Sequence, residues 1–487
     1  MSDLKTPMEE KQATSSIDVA DDTVHSASLA IIDPAVQKSA IFKIDVAVLG
    51  CFGLMYFLAN LDRNNLGQSE VMGLPEDLGL VGNEFGNAVT VFYATYVAFE
   101  TPLTIAMKRV GAKNLLALCM LGWGAVCLGT GFVKNINQLY ACRVLLGMFE
   151  AGLIPCINAY IGMVYLKSEL TMRSAVYYCF SAIAGAFGGL LAAAVSHVHT
   201  GGLSSWSWLF IIEGIITISL SPLIFFIFPS DPRSAWFLND AERNVMRLRY
   251  EHNRHLAIED TFSWKKVLST FKDVKTYIHC VIEFSVDISL FSMSTFMPSI
   301  IKGMGFTSVH AQLLTVPVYV WSAIAFFIIA FLSDRHGIRS AYLVGASFAV
   351  LIGNIMLLAT DNVATRYVAL FFLAVGMYST SGLDITWLNG NFAGHFKRST
   401  AVGFVLSVGN TSGVLTGQIF TSQSAPRYFK GIKITLGFTA VAIVVATLYA
   451  VGLHHVNKKR DELIAANGEP QEKKDISDLD VTFRYTL

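Results

Sequence analysis

Charged residues are scarce in this chain. Only 15% of its 487 residues are Asp, Glu, Lys or Arg, whereas charged residues make up about a quarter of an ordinary soluble protein. Lys plus Arg and Asp plus Glu number 36 each, so no excess of positive charge favours a nucleic-acid partner. With 53% hydrophobic residues, the composition excludes a soluble multidomain protein.

Several chemical signatures are missing as well. The seven cysteines stand in apolar runs, and no two have CxxC spacing, so we interpret them as small buried hydrophobic residues rather than disulfides or metal ligands. The sequence contains no phosphate-binding loop, nucleophile motif or cluster of metal ligands. We therefore expect no enzymatic activity, no cofactor and no metal site.

The sequence is instead dominated by long apolar blocks. Each block has about the 20 residues that an α-helix needs to cross roughly 30 Å of hydrocarbon. Backbone polar groups in lipid must be satisfied internally, so the blocks are predicted to be helices. We predict an all-α membrane protein with twelve transmembrane helices. The blocks are 45–64, 86–107, 114–133, 138–166, 174–197, 207–228, 276–301, 311–333, 340–358, 365–388, 400–422 and 434–455.

The polar segments predict how the chain is organised across the membrane. An even number of helices puts both termini on one side, and the basic residues of the connectors favour the cytosol for that side. The connector with Arg427, Lys430 and Lys433 goes against this rule. The predicted segments are a disordered N-terminal tail (1–40), a six-helix bundle (41–228), a cytosolic linker (229–275), a second six-helix bundle (276–456) and a C-terminal tail (457–487).

The linker contains the stretch LNDAERNVMRLR. Asn239 followed three residues later by Glu242 is the pattern of a capping box, in which each residue hydrogen-bonds to the other's backbone. The sequence therefore predicts an amphipathic helix that begins here and lies on the cytosolic face.

The two halves of the chain resemble each other. MKRVGAKN (107–114) aligns with SDRHGIRS (333–340), Arg173 with Arg398, and GAFGG (185–189) with GNTSG (409–413), all at nearly one offset. Two homologous six-helix halves are typical of transporters, with the binding site between the halves near the bilayer midplane.

The run RVLLGMFEAGLIP (143–155) carries both signs of charge inside a hydrophobic block. Arg143 and Glu150 share a helix face about 10 Å apart, so each needs another partner. Gly147 between them allows a neighbouring helix to approach, and we expect that neighbour to be the first span, with Asp62 and Arg63. Low-dielectric surroundings favour a protonated carboxyl group, and a nearby arginine favours the ionised form. Such a pair can couple proton uptake to a conformational change, or it can be a static ion-pair network.

Several motifs point to one family. SDRHGIR after the eighth block resembles the loop signature G-x-x-x-D-R-x-G-R-[RK] of the major facilitator superfamily, although Ala330 replaces its first glycine and Lys108 replaces the aspartate in the N-terminal copy. Finer motifs resemble the fungal anion:cation symporters, the group of allantoate, nicotinate, pantothenate and biotin permeases. They are LDRNNLG (61–67), YATYVAFETP (93–102), RVLLGMFEAGLIP (143–155), WSWLFIIEG (206–214), LLTVPVY (313–319) and WLNGNFAGHFKR (387–398).

The resemblance implies roles for particular residues. It implies that Asp62 and Glu150 are protonatable coupling groups, with Arg63 and Arg143 as partners that could also hold a substrate carboxylate. The signature residues of the eighth connector are expected to act in gating. They are Asp334, Arg335, Gly337 and Arg339.

Five side chains with polar ends on otherwise apolar helices are candidates for lining the substrate pocket. Tyr93, Tyr96, Trp387, Asn389 and Asn410 could orient a small flat anion in a mostly apolar cavity. Each could equally form an interhelical hydrogen bond or sit at the membrane interface.

Taken with the resemblance, these observations predict a proton-coupled importer of a small organic anion such as a nicotinate-like or vitamin-like monocarboxylate. The expected setting is a fungal plasma membrane, with the protein as a monomer and both termini cytosolic. Two alternatives stay open: an exporter of an acidic metabolite with the same fold, and a nutrient sensor that no longer transports.

Overall fold

The computed structural model describes residues 33–165, 169–198, 200–259, 264–467, 478 and 480–487. Most of the predicted N-terminal tail, residues 1–32, lies outside the described residues, as do 468–477 and 479 of the predicted C-terminal tail. The described residues form helices and short connectors, with no strand among them.

Twelve long helical segments match the twelve apolar blocks, and the predicted fold class is confirmed. We label them α1 to α12 and describe α4 and α10 as helices in two pieces. They are α1 (Pro34–Val71), α2 (Glu84–Val110), α3 (Ala112–Thr130), α4 (Ile136–Glu150 and Leu153–Val164), α5 (Leu170–Val195), α6 (Ser205–Ile227), α7 (Val274–Lys302), α8 (Ser308–His336), α9 (Arg339–Ala359), α10 (Val363–Met377 and Ser379–Asn391), α11 (His395–Ile419) and α12 (Phe429–Asn467).

Nine segments of the described chain are long and apolar enough to cross a membrane by composition alone. The other three helices, α2, α5 and α11, pack across the boundary between the halves, α2 against α11 and α5 against α8. Small residues permit these contacts: a Cβ added to Gly86 would lie 2.0 Å from the carbonyl oxygen of Gly417, and one added to Gly185 would meet the ring of Tyr319 at 2.5 Å. Close contacts of this kind are typical of small residues at helix interfaces in membrane proteins.

We call the side on which α1 begins and α12 ends the terminus side. The hydrogen bonds between the two halves are found at mid-depth and towards the opposite side of the membrane. Glu70 at the end of α1 accepts from Ser299 of α7, and Lys302 and Ser308 donate to the carbonyl oxygen of Val71 at 3.0 and 2.6 Å. Asn83 at the start of α2 donates to the Gly417 carbonyl oxygen at 3.1 Å. The space between the halves is therefore closed from the side opposite the termini.

The predicted capping box is confirmed. Glu242 N donates to Asn239 Oδ1 at 2.8 Å, and Asn239 N donates to Glu242 Oε2 at 2.9 Å, at the start of the linker helix Asp240–Glu259. Glu242 also accepts from Lys43 and Ser39 of α1 at 2.8 and 2.7 Å. Burial acts to raise the pKa of Glu242, but these hydrogen bonds outweigh it and lower the pKa from 4.5 to about 2. The linker is thus bound to the first span by charge.

The described end of the chain folds back against the terminus-side ends of α7, α10 and α11. Asp478 accepts from Lys397 at 2.8 Å and from Lys275, and Asn391 exchanges two hydrogen bonds with the backbone of Thr486, at 2.8 and 3.1 Å. Burial acts to raise the pKa of Asp478, but the two lysines hold it below its ordinary value of 3.8. This segment therefore closes one end of the C-terminal half.

Candidate functional site

An ion pair joins α1 and α4 inside the N-terminal half. Arg63 Nε donates to Glu150 Oε2 at 2.7 Å, and the Glu150 side chain is fully buried. The Arg63 guanidinium also stacks over the rings of Tyr96 and Phe92 of α2, 4.6 and 5.6 Å from their centroids. Arg63 is thus fixed by charge on one side and by aromatic faces on the other.

Arg143 has no such partner. It is 3% exposed, and its guanidinium lies 5.5 Å from the centroid of the Phe210 ring. Its Nε and Nη2 atoms are buried without a hydrogen-bond acceptor, and no ion pair to Arg143 is present in the described part of the chain. A buried guanidinium with open donors is a ready-made site for a carboxylate, because its geometry matches that group.

Asp62 belongs to a second group of polar side chains, next to the Arg63–Glu150 pair. The thiol of Cys127 on α3 donates to Asp62 Oδ1 at 3.0 Å. Asn65 of α1 donates to Glu213 of α6, and Glu213 interacts directly with Asp62. Asp62 Oδ2 and Glu213 Oε1 have no hydrogen-bond donor within the described residues. The two carboxyl groups are therefore close together and only partly satisfied.

The helix that approaches Gly147 is α2, and our expectation that it would be the first span was wrong. A Cβ on Gly147 would lie 2.4 Å from the carbonyl oxygen of Phe92 and 2.3 Å from Thr95 Oγ1. Arg63 nevertheless reaches Glu150, because Glu150 lies one helical turn away from this crossing. The absence of a side chain at Gly147 therefore sets the distance between α4 and α2.

A small cavity separates the two arginines. It is lined by Arg63, Leu66, Val89, Phe92, Tyr93, Arg143 and Thr295, and its volume of about 10 Å³ is about the room of one water molecule. The lining comes from the N-terminal half except for Thr295 of α7. Tyr93 also reaches the C-terminal half, with its ring 4.7 Å from that of Phe291 and against Gly413. Two aromatic side chains predicted for the pocket, Tyr93 and Tyr96, thus lie at this cavity or beside Arg63.

The other pocket candidates lie elsewhere. Trp387 is fully buried in the C-terminal half, where its indole N–H donates to the Thr486 carbonyl oxygen at 2.8 Å. Asn389 is exposed and donates to Ile385 O, one turn back in its own helix, at 2.9 Å. Asn410 of α11 interacts with Glu100 of α2 across the boundary between the halves. The structure does not bring these three residues to the Arg63 cavity.

The predicted gating residues form a compact turn between α8 and α9. Gly337 has φ +68° at the end of α8, a conformation that suits glycine. Arg339 contacts Asp334 at 3.7 Å and donates to the Thr386 carbonyl oxygen of α10. Arg335 is exposed. The signature therefore ties three helices of the C-terminal half together on the terminus side.

Two residues that the sequence did not mark as site candidates, Cys127 and Glu213, contact Asp62. A single cysteine in an apolar helix carries no signal of such a contact. Glu213 does carry one, since an ionisable residue inside a span is costly and marks a functional candidate.

A membrane protein whose two six-helix halves enclose buried charges at their interface is a secondary transporter. The chain belongs to the Major Facilitator Superfamily, whose family model matches residues 52–417. It is 39% identical over 479 residues to an uncharacterized transporter of Schizosaccharomyces pombe, covering 98% of this chain and 95% of that protein. It is 36% identical over 454 residues to the high-affinity nicotinic acid transporter of Saccharomyces cerevisiae, covering 92% and 85%. The expected resemblance to fungal permeases is confirmed.

The fold is also that of solved structures. A bacterial homologue of the human lysosomal transporter Spinster, in an inward-facing and unoccupied conformation, superposes with a TM-score of 0.63 at 15% identity, over 83% of this chain and 95% of that one. At this identity the likeness concerns the fold alone.

Proposed function

We propose that this transporter takes up a small organic monocarboxylate, of the nicotinate type, together with protons. The chain is a multi-pass membrane transporter of the Major Facilitator Superfamily, and one of its relatives is a nicotinic acid transporter at 36% identity. The proposed location is the plasma membrane, with both termini in the cytosol, in line with the basic connectors.

The observation that carries the proposal is the unpaired Arg143. A buried cation without a counter-ion is costly, and Arg143 lines the cavity between the halves with two donors unused. A carboxylate can accept both donors of one guanidinium edge, and this neutralises the charge. Tyr93 and Phe92 line the same cavity, and their rings suit a flat aromatic acid.

The cavity has to enlarge before it can hold such a molecule, because its present volume is that of about one water. The halves are hydrogen-bonded to each other from mid-depth to the side opposite the termini. Rocking of one half against the other would open that side and separate Tyr93 from Gly413. This motion is the alternating access expected of two packed halves.

Proton coupling follows from the Arg63–Glu150 pair. With Arg63 in contact, Glu150 is favoured as the ionised carboxylate. When a substrate carboxylate draws Arg63 away, Glu150 is left buried and unpaired, and binding a proton removes that cost. Substrate and proton binding are then linked, because each favours the same arrangement of Arg63.

The test is uptake of labelled nicotinate, pantothenate, biotin, allantoate and simple mono- and dicarboxylates into yeast expressing the protein, with and without an imposed pH gradient. Acid-driven uptake of nicotinate is the expected result. Glu150→Gln should abolish the pH-driven accumulation while counterflow exchange persists, since the variant resembles the protonated state. Glu462→Gln, an exposed carboxylate on α12, is the matched control. An unaffected Glu150→Gln variant would make the ion pair structural, and acid-independent efflux would favour an exporter.

A further inference from the structure

Four titratable side chains are buried together in the C-terminal half, away from the Arg63 cavity. His279, Glu283 and Asp287 recur at every fourth residue of α7 and share one face of that helix. Asp384 comes from the second piece of α10. None of the four is more than 4% exposed.

Direct contacts connect His279, Asp384 and Glu283, and Asp287 interacts electrostatically with Glu283 and Asp384. His279 Nδ1 lies 2.8 Å from Asp384 Oδ1, and Asp384 in turn interacts with Glu283. Glu283 Oε1 accepts from the Ser381 hydroxyl at 2.6 Å. The backbone of α11 closes the other side, where a Cβ on Gly409 would lie 2.6 Å from Asp287 Oδ2. The cluster is thus enclosed by three helices.

The negative charge of this cluster is not neutralised by a lysine or an arginine. Among the described residues, neither Lys nor Arg forms an ion pair with any of the three carboxyl groups. One atom of each cluster member is buried without a hydrogen-bond partner, namely His279 Nε2, Glu283 Oε2, Asp287 Oδ1 and Asp384 Oδ2. Buried carboxyl groups in this situation cannot all be ionised, because burial and mutual repulsion both favour binding of protons.

The remaining titratable groups around the cluster do not change this balance. All are thiols or phenolic hydroxyls, which are neutral at physiological pH. Cys280 of α7 and Tyr449 of α12 lie beside Asp384, and Tyr56 of α1 and Tyr93 of α2 lie near Asp287. One turn before His279, Lys275 is already held by Asp273 and Asp478.

We propose that His279, Glu283, Asp287 and Asp384 form a second proton-binding site, which exchanges protons with the terminus side of the membrane during each transport cycle. This inference rests on the proposed proton-coupled uptake and adds a second proton to it. Across the described ranges, no three His, Cys, Asp or Glu side chains converge to hold a metal ion. The proton is therefore the ligand that this chemistry favours.

The arrangement also provides a route. His279 lies close to the start of α7 on the terminus side, whereas Asp287 lies near the middle of this 29-residue helix, about 12 Å further along the axis. One turn beyond Asp287, the ring centroid of Phe291 lies 4.7 Å from that of Tyr93, and Tyr93 lines the Arg63 cavity. The cluster thus connects the terminus-side end of α7 with the centre of the protein.

Proton binding can be tested without any substrate. Infrared spectra of the purified full-length protein in lipid should show the carbonyl stretch of a protonated carboxyl group at neutral pH. Glu283→Gln and Asp384→Asn should each remove part of that band or move its titration, whereas Asp361→Asn, an exposed carboxylate of the same half, should not. If all these spectra match that of the wild type, the site does not bind protons and the inference is overturned.

Participation in transport is tested in proteoliposomes with nicotinate as probe. Two protons per monoanion carry one net positive charge, so the wild type should generate an inward current and Glu283→Gln should transport without current. Glu283→Asp should restore the current. A wild-type flux without current, or a current that follows sodium instead of pH, would overturn the inference while proposed nicotinate uptake stands. If nicotinate is not transported at all, the proposed function fails, and the infrared titration still decides whether the cluster binds protons.

Discussion

Replacing Arg143 and Arg63 by methionine should have opposite effects on stability, because Arg63 forms an ion pair with a carboxylate and Arg143 does not. Arg63→Met leaves the fully buried Glu150 without its ion pair, which should cost about 3–5 kcal/mol at a pH where Glu150 stays ionised. Arg143→Met removes a buried cation that has no acceptor on Nε or Nη2. The variant loses the stacking on Phe210 and a longer-range attraction to Glu150 and Asp62. Because it no longer buries an unpaired cation, it should be as stable as the wild type or more stable.

The affinity for nicotinate should be reduced in Arg143→Met, even though its stability is not. Truncating one member of a buried, hydrogen-bonded charge pair costs about 2–5 kcal/mol, and each 1.4 kcal/mol is a factor of ten. If Arg143 holds the substrate carboxylate, Arg143→Met should weaken the Kd for nicotinate by about 30-fold to a few thousand-fold. A variant that gains or keeps stability while losing its ligand is the signature of a residue retained for binding.

The assay is thermal unfolding of purified protein, followed by intrinsic fluorescence, with increasing nicotinate. Ligand that binds only the folded state raises Tm in the wild type, and the same concentrations should leave Tm of Arg143→Met unchanged. Lys134→Met, an exposed cation in the connector before α4, should behave as the wild type. The reasoning is refuted if Arg143→Met lowers Tm as much as Arg63→Met, or if nicotinate still protects it.

Three further outcomes are expected. Gly67→Ala should separate α1 from α7 on the side opposite the termini, because a Cβ there would lie 1.9 Å from the Thr295 carbonyl oxygen. The separation is measured as the distance between spin labels on the outer ends of the two helices. Glu242→Gln should lower Tm above pH 4.5, since the depressed pKa of Glu242 means that its stabilisation is present there and is lost as the pH falls toward about 2. Asp334→Asn should lower the maximal uptake rate by no more than about fivefold, because its contact with Arg339 is 3.7 Å long and Asp334 is 62% exposed.

Each of these has a matched control. Gly345→Ala adds a Cβ where nothing lies within 4 Å, and an equal change in helix separation there would contradict the steric explanation. Glu462→Gln should have the same Tm as the wild type at each pH, and a Glu242→Gln deficit that persists at the lowest pH would show that the lost contact is not electrostatic. Asp361→Asn should leave uptake unchanged, and a loss above 100-fold in Asp334→Asn would make that carboxylate part of the transport cycle.

The sequence determined the features that depend on local chemistry. The lengths of the apolar blocks predicted the transmembrane helices, because a backbone inside lipid has to satisfy its own hydrogen bonds. The Asn239–Glu242 spacing predicted the start of the linker helix, since a capping box involves residues within one turn. The cost of burying charge selected Asp62, Arg63, Arg143 and Glu150 as candidates before any contact was known.

The tertiary structure decided which of these groups meet. Arg63 pairs with Glu150 rather than with its neighbour Asp62, which instead meets Cys127 and lies beside Glu213. Trp387 donates a hydrogen bond to Thr486, which is distant from it in the sequence. Asp384 of α10 contacts His279 and Glu283 on the acidic face of α7. Such contacts depend on the rotation and crossing of whole helices, which small residues such as Gly147 set through close packing. A local pattern shows which residue needs a partner, but only the packing of distant helices determines which partner it finds.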